Sequence, residues 1–100
     1  MNSFKSGDAS ALASNFDSYV EITIKSSGNS YSKNQAEMVM RDFFNTNSPK
    51  SFALVHQGTS PEGAKYFIAN MSASTGIYRT YVYAKTMAGK LAIQEIRIDQ

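Results

Sequence analysis

Apolar residues recur along this chain with two different periods. Between Ser32 and Asn45, the positions Ala36, Val39, Met40, Phe43 and Phe44 repeat at the spacing of one helical face, while Lys33, Glu37, Arg41 and Asp42 fall elsewhere. Ser32 followed three residues later by Gln35 is a capping-box pattern, in which each side chain satisfies an amide that the first helical turn leaves orphaned. The segment therefore predicts an amphipathic helix laying a single apolar stripe on a partner surface. Upstream, Val20, Ile22 and Ile24 alternate with Glu21, Thr23 and Lys25, the period of a half-buried strand. A shorter helix is predicted before it, with Asp8 capping a segment that carries Leu12 and Phe16, and Gly7 ending the turn that holds Phe4. Four β-rich runs follow the long helix, the last being KLAIQEIRID. The order α-β-α-β-β-β-β predicts an α+β domain in which one curved antiparallel sheet wraps around a helix, cone-like.

Ser- and Asn-rich stretches punctuate these elements and read as loops: Ser26-Ser27-Gly28-Asn29-Ser30, Asn45-Thr46-Asn47-Ser48-Pro49 and Thr59-Ser60-Pro61-Glu62-Gly63. Ser60-Pro61-Glu62-Gly63 suits a type I turn, with Pro second and Gly fourth. Thr75-Gly76 and Ala88-Gly89 are the expected centres of the next two hairpins. With those turns, Phe52, Leu54 and His56 share a face with Phe67, Ala69, Met71, Thr80, Val82 and Ala84. The opposite face carries Ala53, Val55, Tyr66, Ile68, Arg79, Tyr81, Tyr83 and Lys85. In the final strand Leu91 and Ile93 are odd while Ile96 and Ile98 are even, so strict alternation would expose half of them. A bulge at Gln94-Glu95 restores the parity and bends the strand, as a curved sheet requires.

The first face is apolar and free of fixed charge, which suits it to the helix stripe. It mixes large residues with Ala69, Thr80 and Ala84. Close packing of protein interiors favours a filled core there, with the small residues making room for Phe43 and Phe44. Were space left, an apolar small molecule would lie against Met40, Phe44, His56, Phe67, Met71 and Thr80. Outside, Tyr66, Ile68, Tyr81 and Tyr83, with Val55, form a cross-strand patch. Tyr offers contact area at low entropic cost, so the patch suits a protein partner, although aromatic pairs also stabilise a sheet on which nothing docks.

Length and charge narrow the chemistry. One hundred residues make one domain, 1–100, able to bury a modest core without metal or disulfide. Cysteine is absent, which removes bridges, thiolate nucleophiles and Cys-ligated zinc. Ten basic and eight acidic residues give a formal charge of +2, with no run of adjacent cations to hold a phosphate backbone, so nucleic acid is not an expected partner. Arg79 and Lys85 alone flank the tyrosines, too few cations for single-stranded nucleic acid. No stretch approaches the roughly 20 apolar residues of a membrane span, and no charged-then-apolar leader is present. The glycines are scattered one to a turn, so no phosphate-cradling loop is expected. With a single His, neither a metal site nor an acid-His-Ser triad is expected, and no cofactor is implied.

The Lys5-Ser6-Gly7-Asp8-Ala9 entry, Leu12 and Phe16, the Val20-Glu21-Ile22 strand, the capped second helix and the final Ile-Arg-Ile strand resemble the nuclear transport factor 2-like, or cystatin-like, superfamily. Within it, the chain is similar to a small uncharacterised bacterial family of exported proteins. The resemblance implies a cone fold, an extracytoplasmic setting and a homodimer formed through the outer face of the sheet. It spans isomerases, dehydratases, transport adaptors and binding modules, so it carries no single activity. Enzymes of the superfamily place an Asp, or an Asp and His pair, inside the cone as general base, and the inner positions here hold no Asp or Glu. His56 is the one candidate general base for a small isomerase or dehydratase. A strand-end His beside Gln57-Gly58 also needs no such task. The expectation is a non-catalytic module that binds a small molecule or a protein.

Overall fold

The computed structural model describes residues 9–61, 63–87 and 89–99. Helix α1 (Ala9–Ala13) is followed by strands β1 (Phe16–Ile24) and β2 (Ser27–Ser32), helix α2 (Lys33–Thr46), and strands β3 (Pro49–Thr59), β4 (Ala64–Ala73), β5 (Gly76–Met87) and β6 (Lys90–Asp99). The strands form one six-stranded sheet in the order β2-β1-β6-β5-β4-β3. Every neighbouring pair is antiparallel except β1 with β6, which run parallel. The chain thus lays down a hairpin, crosses the sheet with α2, and returns by a four-strand meander that closes on the strand where it began.

The long helix forms for the reasons its sequence advertises. The Ser32 hydroxyl accepts from the Gln35 amide at 3.4 Å, and the Ser32 amide donates to Gln35 Oε1 at 3.3 Å, completing the capping box. Ala36, Met40, Phe43 and Phe44 are buried and Val39 is partly so. At the other end the Asn47 amide donates to the Phe43 carbonyl at 2.8 Å and its side-chain amide donates to the same oxygen. The Asn47 side-chain oxygen in turn accepts from the hydroxyls of Thr75 and Tyr78, tying the helix end to the β4–β5 hairpin. Tyr78 is buried edge-on against Phe43, with ring centroids 5.5 Å apart. The helix stripe meets Val20, Ile22, Met71, Val82, Ile96 and Ile98 in one core cluster. The face of the sheet that carries α2 is called inner below, and the opposite face outer.

The parallel pairing of β1 with β6 makes the sheet mixed where the sequence predicts an antiparallel one, and three further features of the fold depart from the sequence expectation. The Ser26–Ser30 stretch, read as a loop, enters strand β2: Lys25 and Ser26 take positive φ of 50° and 73° and turn the chain straight back on β1. A two-residue turn with both φ positive matches the twist of paired strands, and a Lys-Ser pair gives no composition signal for it. Phe16 opens β1 and is buried there, since α1 stops at Ala13. The β4–β5 turn centres on Ser74 and Thr75, with Ala73 opposite Gly76, one residue before the expected centre; the pairing moves by two and every side chain keeps its face. The Gly7-Asp8 entry and Ala88 of the last turn lie outside the described residues. Ser60 to Gly63 closes as expected, the Gly63 amide donating to the Ser60 carbonyl at 3.1 Å.

Candidate functional site: the outer face of the sheet

Pairing registers sort the strands into two faces. Met71, Thr80, Val82, Ile96 and Ile98 are buried on the inner face, and Tyr66, Ile68, Tyr81 and Tyr83 lie half-buried on the outer one. The outer residues form rows. Ile68 stands opposite Tyr81, and Tyr81 opposite Arg97; Tyr66 stands opposite Tyr83, and Tyr83 opposite Glu95; Asn70, Arg79 and Asp99 make the third row. The rows bring together the interface residues expected from sequence, except that Val55 sits apart in an irregularity of the edge strand β3, where it is 54% exposed.

Glu95, Arg97 and Asp99 join the patch because of the bulge in β6. Tyr83 pairs with Glu95 and Ala84 with Ile93, leaving Gln94 as the extra residue. The bulge falls where the parity argument placed it and keeps Ile93, Ile96 and Ile98 buried, whereas Leu91, expected with them, is 36% exposed near the start of the strand. It also turns the acidic and basic residues between them outward, a consequence the same argument contains. Ile68, Arg79, Tyr81, Glu95, Arg97 and Asp99 line a shallow groove of about 350 Å³ with two cations and two anions. The Arg97 guanidinium lies 3.8 Å from the Glu95 carboxylate, a loose pair that leaves both able to bind elsewhere. Burial holds the Tyr81 phenol above its ordinary value, and the charge of Glu95 adds to the effect.

His56 does not face the helix stripe. Leu54 pairs with Ala69 but His56 pairs with Ile68, so Val55 is an extra residue and the strand changes parity there. His56 is exposed on the outer face, its Nε2 atom 3.5 Å from the Tyr66 hydroxyl, the outer limit of a hydrogen bond. The Tyr66 ring crosses β3 at Gly58, where an added Cβ would sit 2.3 Å from the Tyr66 Oη. Gly58 is thus needed for the close approach. The other residues expected around a ligand are core: Met40, Met71 and Thr80 are fully buried, Phe44 nearly so, and Phe67 packs against the same cluster. The Thr80 hydroxyl is buried without a hydrogen-bond partner among the described residues. Among those residues no three His, Cys, Asp or Glu side chains gather as metal ligands, and no helix is long and apolar enough to cross a membrane.

A curved sheet closed around one long helix defines a nuclear transport factor 2-like α+β domain, and the solved structures agree. An NTF-2 like protein of unknown function from Silicibacter pomeroyi superposes with a TM-score of 0.70 at 11% identity, over 97% of this chain and 82% of that one. The chain belongs to the DUF4783 family, a domain of unknown function, whose family profile matches residues 1–99. DUF4783 proteins from Bacteroides uniformis and Bacteroides ovatus are 26% and 25% identical, with TM-scores of 0.94 and 0.95. The matches cover 99% of this chain and 91% and 89% of theirs. No curated protein matches the chain.

Proposed function

We propose that this domain is a non-catalytic interaction module that associates with a second copy of itself through the outer face of its sheet. The observation that carries the reading is the composition of the groove around Tyr81. A two-fold interface presents the same patch from both sides, so a patch of one sign repels itself. The groove instead holds Arg79 and Arg97 beside Glu95 and Asp99. Half-buried tyrosines fill its neighbourhood with rigid amphipathic area, the kind of residue that anchors interfaces. The inner face supports the same reading, because Met40, Phe44 and Met71 lie within a buried core cluster, Phe67 packs against it and Thr80 is fully buried. His56 stands exposed on the outer face, away from that cluster, which favours binding over an isomerase or dehydratase activity. The extracytoplasmic setting implied by the family resemblance is part of the proposal, and fractionation of the native host would test it.

Sedimentation velocity tests the interface. The unaltered protein is expected to sediment as a dimer, and the Tyr81→Ser, Tyr83→Ser double variant as a monomer, with a loss of about 2 kcal/mol or more, roughly thirtyfold in Kd. Arg97→Glu and Glu95→Arg are each expected to weaken self-association and to recover it when the two variants are mixed. Unchanged association of the tyrosine variant, or no recovery on mixing, rejects the interface as placed.

A further inference from the structure

The sheet has two edges, and they are built differently. On β3, Pro49 and Lys50 stand at the start and the pairing register breaks twice, between Pro49 and Ser51 and between Leu54 and His56. Proline, lysine and bulges are the devices that stop an edge from pairing with another chain. Strand β2 has none of them: Ser27-Gly28-Asn29-Ser30-Tyr31-Ser32 carries no charge and no proline, and pairs with β1 in one unbroken register.

The direction of its free groups can be read. The Ser32 amide donates to Gln35 Oε1 and so turns away from β1. In an antiparallel pair, the residues that point away alternate along the strand, which puts Ser30 and Gly28 on the same outward side. Gly28 agrees: an added Cβ would lie 2.6 Å from the Thr23 Oγ1, the crowding expected of a pair that exchanges no ladder bonds. Beside this edge, Asn29, Ser30 and Tyr31 of β2 and Gln35, Met38, Val39 and Asp42 of α2 line a groove of about 440 Å³. Its floor is apolar, with Met38 62% exposed, and Asp42 is its one lining charge.

We propose that this edge binds an extended peptide segment of a partner protein by β-strand addition. The segment pairs its main chain with Gly28 and Ser30, seats an apolar side chain on Tyr31, Met38 and Val39, and sets a Lys or Arg against Asp42. A second copy of this chain fits less well, because a two-fold arrangement brings a second Asp42 and no lining cation to meet the first. The surface is separate from the tyrosine face, so the two readings succeed or fail independently.

A displayed library of random nonapeptides, selected on the full chain, tests the assignment. Enrichment of sequences alternating apolar residues around a Lys or Arg is expected. The Ser30→Pro variant removes an amide that this alternation points outward and that has no turn or loop bond among the described residues, and proline is tolerated on an edge at such a position. It is expected to keep the native circular dichroism and to bind the selected peptides at least tenfold more weakly. Asp42→Lys, on the exposed side of α2, is expected to reverse the charge preference towards Glu-bearing peptides. No enrichment over the Ser30→Pro protein, or selected peptides whose binding survives both substitutions, overturns the proposal. So does a Ser30→Pro chain that loses self-association while no peptide competes, which would make a second copy the occupant.

Discussion

The two faces of strands β4 to β6 are written in the same thirty or so positions, alternating residue by residue, and they are finished to different degrees. Inside, small and aliphatic side chains such as Val82, Ala84 and Ile96 are buried in one cluster with the stripe of α2. Outside, tyrosines stop half-buried and charges of both signs are left loosely paired. The inner face is complete within one chain. The outer face has amphipathic area and a balance of charges that suit it to the self-association proposed above, and on that proposal the difference gives stability to one side and recognition to the other.

Substitutions on the two faces should therefore separate folding from association. Met40→Ala, which empties a fully buried site under the helix, is expected to cost about 2–5 kcal/mol by urea unfolding without weakening association of the folded chain. A cost below that range would mean the inner face is loosely filled and has room for a ligand. The double tyrosine variant is the converse, expected to lose association while the monomer keeps its fold. Smaller in effect, Thr80→Val replaces an unpartnered buried hydroxyl by a methyl group and should stabilise the chain by about 1 kcal/mol. Destabilisation there would reveal a polar partner for the hydroxyl inside the cone. The smallest effect concerns Tyr81. Its raised pKa means the folded state holds the phenol proton more tightly than the unfolded chain, so the associated stability is complete below the ordinary value of 10.0 and is lost as pH rises through the folded value. Unfolding at about pH 8 and about pH 11 should show a shallower decline for Tyr81→Phe than for the unaltered chain; identical declines would contradict the burial of this ring.

Much of the fold was legible because its signals are local or arithmetical. The capping box and the stripe of α2 needed only spacing, and the Gln94 bulge needed only the parity of Ile93 against Ile96 and Ile98. What escaped depended on backbone conformations that the side chains do not announce. The Lys25-Ser26 turn uses left-handed geometry without Gly or Asn, so β2 looked like a loop, and with it the sheet edge and its groove were hidden. The shift at Val55 carries no parity conflict, since β3 is an edge strand whose Leu54 and Val55 are both exposed; His56 was accordingly assigned to the wrong face. The tyrosine rows were visible from sequence, but the charges beside them followed only once β6 was placed next to β5.

Native mass spectrometry of the purified protein addresses both faces in one spectrum. A dimer at twice the chain mass with nothing retained is the expected result, the outer faces joined and the inner faces filled. A monomer carrying a bound small molecule would contradict both halves of the assignment at once.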